Sequence, residues 1–363
     1  MRHLTRRSFL ASATALTTAP ALAAPAPAPE VPRSGWVDAV VVGAGAAGIA
    51  AGRRLAAAGK RFVVLEAANE IGGRCITETR TFGVPYDRGA HWIYAADINP
   101  LMKLAPQAGV EIYAAPPGQR MRIGRRYARE GEMEDFLASL VRANTAIADV
   151  ARKSDVACTQ ALPKDLGEWR PTVEFVLGPY GCSKELAEVS TADLSRAGER
   201  DNSAFCRQGF GTLLAKLAAS LPILPATPVK SIEWWRRARI EVETPKGQFK
   251  TAAVILTVST NVLTSGKIKM APELPKRHLE AASKLKLGSR DHVALELTGN
   301  PLGLRSDELV FERTESRQTA ALFGNMAMPM YQNSPDPYAG SHVTAHPEPR
   351  RGATGRGRPR PPR

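Results

Sequence analysis

Residues 37–74 read VDAVVVGAGAAGIAAGRRLAAAGKRFVVLEAANEIGGR, and this stretch decides the fold. The near-continuous apolar run of Val37, Ala39, Val40, Val41 and Val42 predicts a parallel strand buried on both faces. It leads straight into Gly43-Ala-Gly45-Ala46-Ala47-Gly48. From Ala46 to Ala58 the alanine-rich composition, with Ile49 and Leu55, predicts a helix, and Gly59 stands where a left-handed C-terminal cap belongs. Phe62 to Leu65 predicts a second strand, which ends at Glu66. In such a unit Gly43 permits the tight turn, Gly45 lets the backbone approach a pyrophosphate, and Gly48 lets helix and strand pack closely. The helix start at Ala46 and Ala47 offers N–H groups to the anion. Glu66, eighteen residues after Gly48, is placed to accept from ribose hydroxyls, and a carboxylate there disfavours the 2′-phosphate of NADP. The alternative is an ordinary glycine-rich βαβ unit without cofactor; the preceding strand, the following helix and the acidic strand end favour the dinucleotide.

The continuation, Glu66-Ala67-Ala-Asn-Glu-Ile-Gly72-Gly73-Arg74, resembles the extended dinucleotide signature of the flavin-containing amine oxidase superfamily, which includes monoamine, polyamine and L-amino-acid oxidases. The resemblance implies FAD as cofactor. It also implies an α/β fold: a Rossmann-like FAD-binding domain with an inserted α+β substrate domain of mixed sheet and helices. The glycine pair Gly72-Gly73 would then bring backbone close to the cofactor, with Ala67 and Gly73 among the binding residues and Arg74 near its pyrophosphate and flavin. A fixed guanidinium suits a buried diphosphate; a surface arginine after a glycine turn is the alternative. Asp87-Arg-Gly89-Ala90-His91-Trp92 resembles the family's D-x-G-A-x-W segment, whose backbone passes along the flavin ring. Gly89 and Ala90 lack the bulk that would hold a planar group away. His91 and Trp92 also read as interior residues with local partners.

Later stretches resemble the family as well: Gly209-Phe-Gly211-Thr-Leu-Leu, Pro228-Val229-Lys-Ser-Ile232 and Ala252 to Ser259. The resemblance implies that Val229 offers its backbone to the adenine, although any buried strand valine reads the same. The segment from Lys284 to Leu297 aligns with the place where many members carry a lysine that holds a water near flavin N5. His292 stands there as the candidate catalytic residue, a weaker electrostatic handle than ammonium when neutral; a strand histidine without flavin contact is the other reading. No metal ligand set is expected. Cys75, Cys158, Cys182 and Cys206 form no C-x-x-C pair and no zinc spacing, so mostly buried thiols are expected.

The formal charge of +14 is concentrated at the ends. Three arginines in residues 1–23 and a net five charges in residues 346–363 account for eight of it. The remaining mild excess comes with no nucleic-acid motif, so no RNA or DNA partner is expected. Residues 1–23, with Arg6-Arg7-Ser8-Phe9-Leu10 and Ala-Leu-Ala at 21–23, resemble a twin-arginine export signal. Too short and too rich in Ser and Thr for a membrane span, this segment predicts partnership with the twin-arginine export machinery and a periplasmic or exported product. Residues 24–36 read as a Pro/Ala linker.

The expected organisation is a FAD-binding domain at 37–115 and 203–262, a substrate domain at 116–202 and 263–341, and a basic tail at 342–363. Met121 to Tyr127 predicts two short strands joined at Gly124. Met133 to Val150 predicts a helix, from apolar residues at 133, 136, 137, 140, 147 and 150. Resemblance runs to Asp336-Pro-Tyr-Ala-Gly340-Ser341, where the family continues with A-G-E and a glycine-rich turn into a helix. Here residues 346–363 are six arginines, five prolines and three glycines among eighteen, which predicts disorder. Two functions are thus expected as alternatives. One is an oxidase of a primary or secondary amine or an amino acid, using oxygen and giving an imine and hydrogen peroxide. The other is a truncated member that cannot retain FAD, or a flavin enzyme acting on a non-amine substrate.

Overall fold

The computed structural model describes residues 34–116, 119–197, 202–236, 239–291, 293–297, 303–305, 307–313, 321–325 and 341–345. Strand β1 (Gly35–Val42) carries the apolar run; from Val37 to Val42 only the Asp38 position is not fully buried. Helix α1 (Ala46–Ala57) follows, then β2 (Phe62–Leu65), buried at all four positions. Gly59 lies just beyond the helix at φ +64°, the left-handed conformation that ends a helix without a Cβ penalty.

The chain returns to the same sheet much later. Helix α2 (Phe210–Ala218) leads to β3 (Ile223–Leu224), and β4 (Ser231–Arg236), β5 (Arg239–Thr244), β6 (Gly247–Leu256) and β7 (Lys269–Ala271) complete it. The seven strands lie in the order β3-β2-β1-β6-β5-β4-β7. The first four are mutually parallel, with Val40 opposite both Val63 and Val254, whereas β5 runs antiparallel to both β6 and β4. β7 closes the far edge parallel to β4, so the sheet continues past residue 262.

Period-two alternation sends the side chains of β1 and β2 into two cores. Ala39, Val41 and Val64 pack with Ile49, Leu213, Leu214 and Leu217 of α1 and α2. Val40, Val42, Val63 and Leu65 face the other way, against Val229, Val242 and Phe249. Both faces are covered, which is why these strands read as unbroken apolar runs.

A six-stranded mixed sheet is built from Val293–Leu297, Ser341–Ala345, Ala321–Asn325, Glu308–Glu312, Arg120–Ile123 and Arg126–Tyr127, in that order. The last two strands flank Gly124 at φ +61°, as the glycine predicts. Against this sheet lies the helix Glu130–Ala151. Glu132 accepts from the backbone N–H of Arg129 and pairs with Arg126, which pulls its carboxyl down to about 2. With Glu130, it also sets negative charge against the positive end of the helix dipole.

The buried face of this helix is Phe136, Ser139, Ala143 and Ile147, packed on Trp169, Val173 and Phe311. Leu137, one of the apolar residues that predict this helix, is 42 % exposed. One residue past Phe136 turns the side chain by about 100° and off the packed stripe. A small antiparallel sheet of Ile93–Tyr94, Ser203–Cys206 and Ile112–Ala114 completes the framework. Among the described residues no helix is long and apolar enough to cross a membrane.

Candidate functional site

The carboxyl ends of β1, β2 and β6 meet at the glycine turn. Gly43 has φ +106°, and a Cβ there would stand 2.8 Å from Thr257 Oγ1, whose hydroxyl caps β1 through the Val42 and Gly43 carbonyls. At Gly48 a Cβ would fall 1.8 Å from the Gly43 carbonyl oxygen, so helix and strand touch backbone to backbone. Gly45 differs. It is the N-cap of α1, in an extended conformation at φ −78°, and a Cβ would meet nothing nearer than 3.9 Å. The protein's own atoms therefore leave room for a Cβ at 45, in front of the helix start.

Glu66 emerges from β2 beside this turn. Its Oε2 accepts from Ala44 N at 2.7 Å and its Oε1 from Ala68 N at 2.8 Å. Each carboxylate oxygen retains a second lone pair for a hydroxyl. The carboxylate is thus held in place by two backbone donors. The segment that follows folds back over the turn: Gly72 N donates to Ala44 O, and Gly45 and Gly72 form a parallel bridge. Gly72 at φ +110° and Gly73 at φ +63° need glycine, since a Cβ on Gly72 would sit 2.3 Å from Cys75 O. Arg74 follows with its side chain exposed.

Ala90 N donates to Arg74 O at 2.9 Å, and a Cβ on Gly89 would fall 2.0 Å from the same oxygen. The loop of residues 87–92 is thereby laid along the segment of Arg74. Ala46, Ala47, Ala67, Gly73 and Ala90 are all exposed, a run of short or absent side chains. Val229 is buried, in the extended segment just before β4 and not in the strand itself. Its neighbours Ala226 and Thr227 donate to Ala68 O and Glu66 O, which places this segment beside Glu66. The structure therefore brings Gly43, Gly45, Ala46, Ala47, Gly48, Glu66, Ala67, Gly73, Arg74, Gly89, Ala90, His91, Trp92 and the Val229 segment into one region. His292 lies outside the described residues.

Sequence reasoning missed the group that ties this region together. The Asp87 side chain is 2 % exposed. Its Oδ1 accepts from Thr77 Oγ1 at 2.6 Å and from Phe210 N at 3.0 Å, and its Oδ2 accepts from His91 Nδ1 at 2.8 Å. It thus caps α2 from 123 residues away. Gly209 and Gly211 let the helix start approach, since a Cβ on either would lie within 2.4 Å of Thr77. Both glycines stand out in the sequence, but their common partner is set by tertiary packing.

A second buried carboxylate, Asp307, accepts from Tyr113 Oη at 3.0 Å and has φ +55°. Burial raises its carboxyl above the usual range, opposed by the Tyr113 hydrogen bond, His91 and Arg207. Burial also raises the Tyr113 phenol, with Asp307 adding to it. Of the four thiols, Cys158 and Cys206 are buried while Cys75 and Cys182 are half-buried, and none of the four is in a disulfide. Burial pushes Cys206 up to about 12, with Asp87 contributing. Among the described residues no cluster of His, Cys, Asp and Glu could hold a metal ion.

The fit to FAD follows from this chemistry: an uncapped helix start, room at Gly45, a fixed carboxylate beside it and a shelf of small residues running on to residues 89–92. Residues 46–344 match the family model described as flavin containing amine oxidoreductase. Lysine-specific histone demethylase 1B of Mus musculus is 27 % identical over 289 residues, 71 % of this chain and 34 % of that protein. Probable polyamine oxidase 4 of Arabidopsis thaliana is 25 % identical over 294 residues, 70 % of this chain and 57 % of that protein. The chain thus spans about a third of the first demethylase relatives and somewhat over half of the polyamine oxidase. Among solved structures, a triple mutant of putrescine oxidase superposes with a TM-score of 0.70 at 19 % identity, covering 87 % of this chain and 76 % of the other. Cyclohexylamine oxidase from Brevibacterium oxydans gives 0.67 at 18 %, covering 86 % and 75 %. With the match extending over most of its length, the chain belongs to the flavin-containing amine oxidoreductase family, and its cofactor is FAD.

Proposed function

We propose that this chain is an exported oxidase that converts a primary or secondary amine, or an amino acid, to the imine. The observation that carries the cofactor half of this reading is Gly45, a residue with room for a Cβ that no protein atom claims. Ala46 and Ala47 N–H groups would hold the diphosphate at the start of α1, with Arg74 supplying positive charge. Glu66 would accept from the ribose hydroxyls, the Val229 backbone would meet the adenine, and Gly89 to Trp92 would lie along the flavin ring. FAD, when bound, would supply an acceptor for the hydride equivalent lost from the amine α-carbon and a route for its two electrons to oxygen, which would leave as hydrogen peroxide. This chain's residues orient the amine and exclude water, with His292 as the candidate to hold a water there. The named activities of the polyamine, putrescine and cyclohexylamine oxidases support an amine as substrate. Export by the twin-arginine route rests on residues 1–23 and would carry a folded, loaded enzyme.

The test is direct. The purified chain, reconstituted with FAD, is expected to retain flavin through gel filtration and to bleach it anaerobically with at least one of putrescine, cyclohexylamine or an L-amino acid. Air should then release peroxide in equal amount. Failure to retain FAD refutes the reading; flavin that is retained but bleached only by a polyene lipid moves the substrate outside the amines. The mature exported chain is expected to begin after Ala23.

A further inference from the structure

The Asp87 carboxylate serves three chain segments at once. Thr77 Oγ1 and Phe210 N occupy Oδ1, and Phe210 N also lies 3.1 Å from Oδ2. His91 Nδ1 approaches that same Oδ2 at 2.8 Å. A carboxylate in this setting only accepts, so the histidine hydrogen belongs on Nδ1. The imidazole is 11 % exposed. It stacks on Phe205 at 4.5 Å and stands edge-on to Trp92 at 5.3 Å, while Phe205 also meets Tyr113 at 5.6 Å. The ring thus wedges the loop of residues 87–92 against the small sheet that carries Phe205 and Tyr113. The ionisable groups around this pair are Cys75 and Cys206 beside Asp87, and Asp307 on the histidine side with Tyr113 and Arg207.

We propose that Asp87 is a positioning residue: its carboxylate fixes the tautomer and plane of His91 while capping α2, and so sets the Gly89–Trp92 backbone at the cofactor wall. The proposal deepens the reading of residues 89–92 as that wall and rests on it. Asp87→Asn makes it testable because the two amide atoms are not equivalent. Phe210 N–H and the Thr77 hydroxyl both need an acceptor, so they claim the amide oxygen. The amide NH2 is left facing His91 Nδ1, which must then accept, and the hydrogen moves to Nε2.

The experiment reads the His91 tautomer by long-range proton–nitrogen NMR on the full chain without flavin, and FAD affinity separately by fluorescence titration. Wild type is expected to show the Nδ1–H form and Asp87→Asn the Nε2–H form, with FAD Kd raised at least fivefold. Thr77→Val removes a bond to the same carboxylate without touching His91. It is expected to lower the melting temperature yet keep the Nδ1–H form, which a merely structural role for Asp87 would not separate. An Nε2–H signal in wild type overturns the proposal even if Asp87→Asn fails to fold. So does an Nδ1–H signal that persists in a folded Asp87→Asn, or an unchanged FAD Kd there. Should wild type bind no FAD, the proposed function fails while the tautomer arm still decides the pairing.

Discussion

Adding one methyl group at two neighbouring glycines separates what the fold needs from what the cofactor needs. At Gly48 the new Cβ lies 1.8 Å from the Gly43 carbonyl oxygen. A carbon–oxygen contact tolerates about 3.3 Å, so the start of α1 must retreat by roughly 1.5 Å. Overpacking of that kind costs about 1–3 kcal/mol, and the better helix propensity of alanine returns up to about 1 kcal/mol. Gly48→Ala is therefore expected to lose about 1–2 kcal/mol and to misplace the N–H groups of Ala46 and Ala47.

At Gly45 the nearest atoms to the new Cβ are 3.9 Å away, and the backbone at φ −78°, ψ −175° suits any L-residue. Alanine is a poorer N-cap than glycine by several tenths of a kcal/mol, and this is offset by about 0.4–1 kcal/mol from the less flexible unfolded chain. Stability should stay within about 0.5 kcal/mol of wild type. The methyl group does occupy the approach to the helix start, and losing one or two charge-assisted hydrogen bonds, at roughly 1.5–3 kcal/mol each, weakens an anion. FAD Kd should then rise by roughly 10-fold or more. Urea denaturation of the flavin-free chain gives the first quantity, and fluorescence titration with FAD the second. If Gly45→Ala unfolds as readily as Gly48→Ala, or binds FAD like wild type, the open volume at Gly45 has no connection with the cofactor and the geometric reasoning fails.

Glu66→Gln keeps the shape but presents an amide NH2 to either Ala44 N or Ala68 N, both of which need an acceptor. A loss of about 1–3 kcal/mol in urea denaturation is expected, together with weaker FAD binding; equal stability would show that these two bonds contribute nothing. Asp307, whose carboxyl is raised by burial, gives a pH-dependent effect. The folded state holds that proton more tightly than the unfolded chain, so its contribution is present below about pH 4 and fades as pH rises through the folded value. Wild type should lose stability relative to Asp307→Asn as pH rises from about 4; a difference that is flat or of opposite slope would refute the assignment.

The cofactor end of the fold was legible because each of its requirements is local. β1 and β2 are buried on both faces and so read as apolar runs, and the turn between β1 and α1 needs glycine at 43 for its φ of +106° and at 48 for its contact with the Gly43 carbonyl, both within six residues. The helix Glu130–Ala151 was equally readable in extent, yet Leu137 shows the limit: an apolar residue inside a helical pattern does not reveal which stripe finds a partner. Asp87 shows the same limit for chemistry. Its neighbours mark it as part of a D-x-G-A-x-W segment, but its partners Thr77 and Phe210 are set by how two distant segments pack. The glycines at 209 and 211 record that packing only indirectly, as places where a side chain would strike Thr77. The two kinds of glycine therefore carry different information. Those at 43, 48, 72, 89, 209 and 211 are demanded by protein atoms already in contact, whereas the one at 45, like Gly131 in the helix Glu130–Ala151, has neither a left-handed backbone nor a close neighbour. At Gly45 an added Cβ would meet only ordinary contacts at 3.9 Å, and the position stands at the helix start beside Glu66, whose carboxylate two backbone donors hold; it is the two together, and not the glycine alone, that mark where an anion with a sugar would approach.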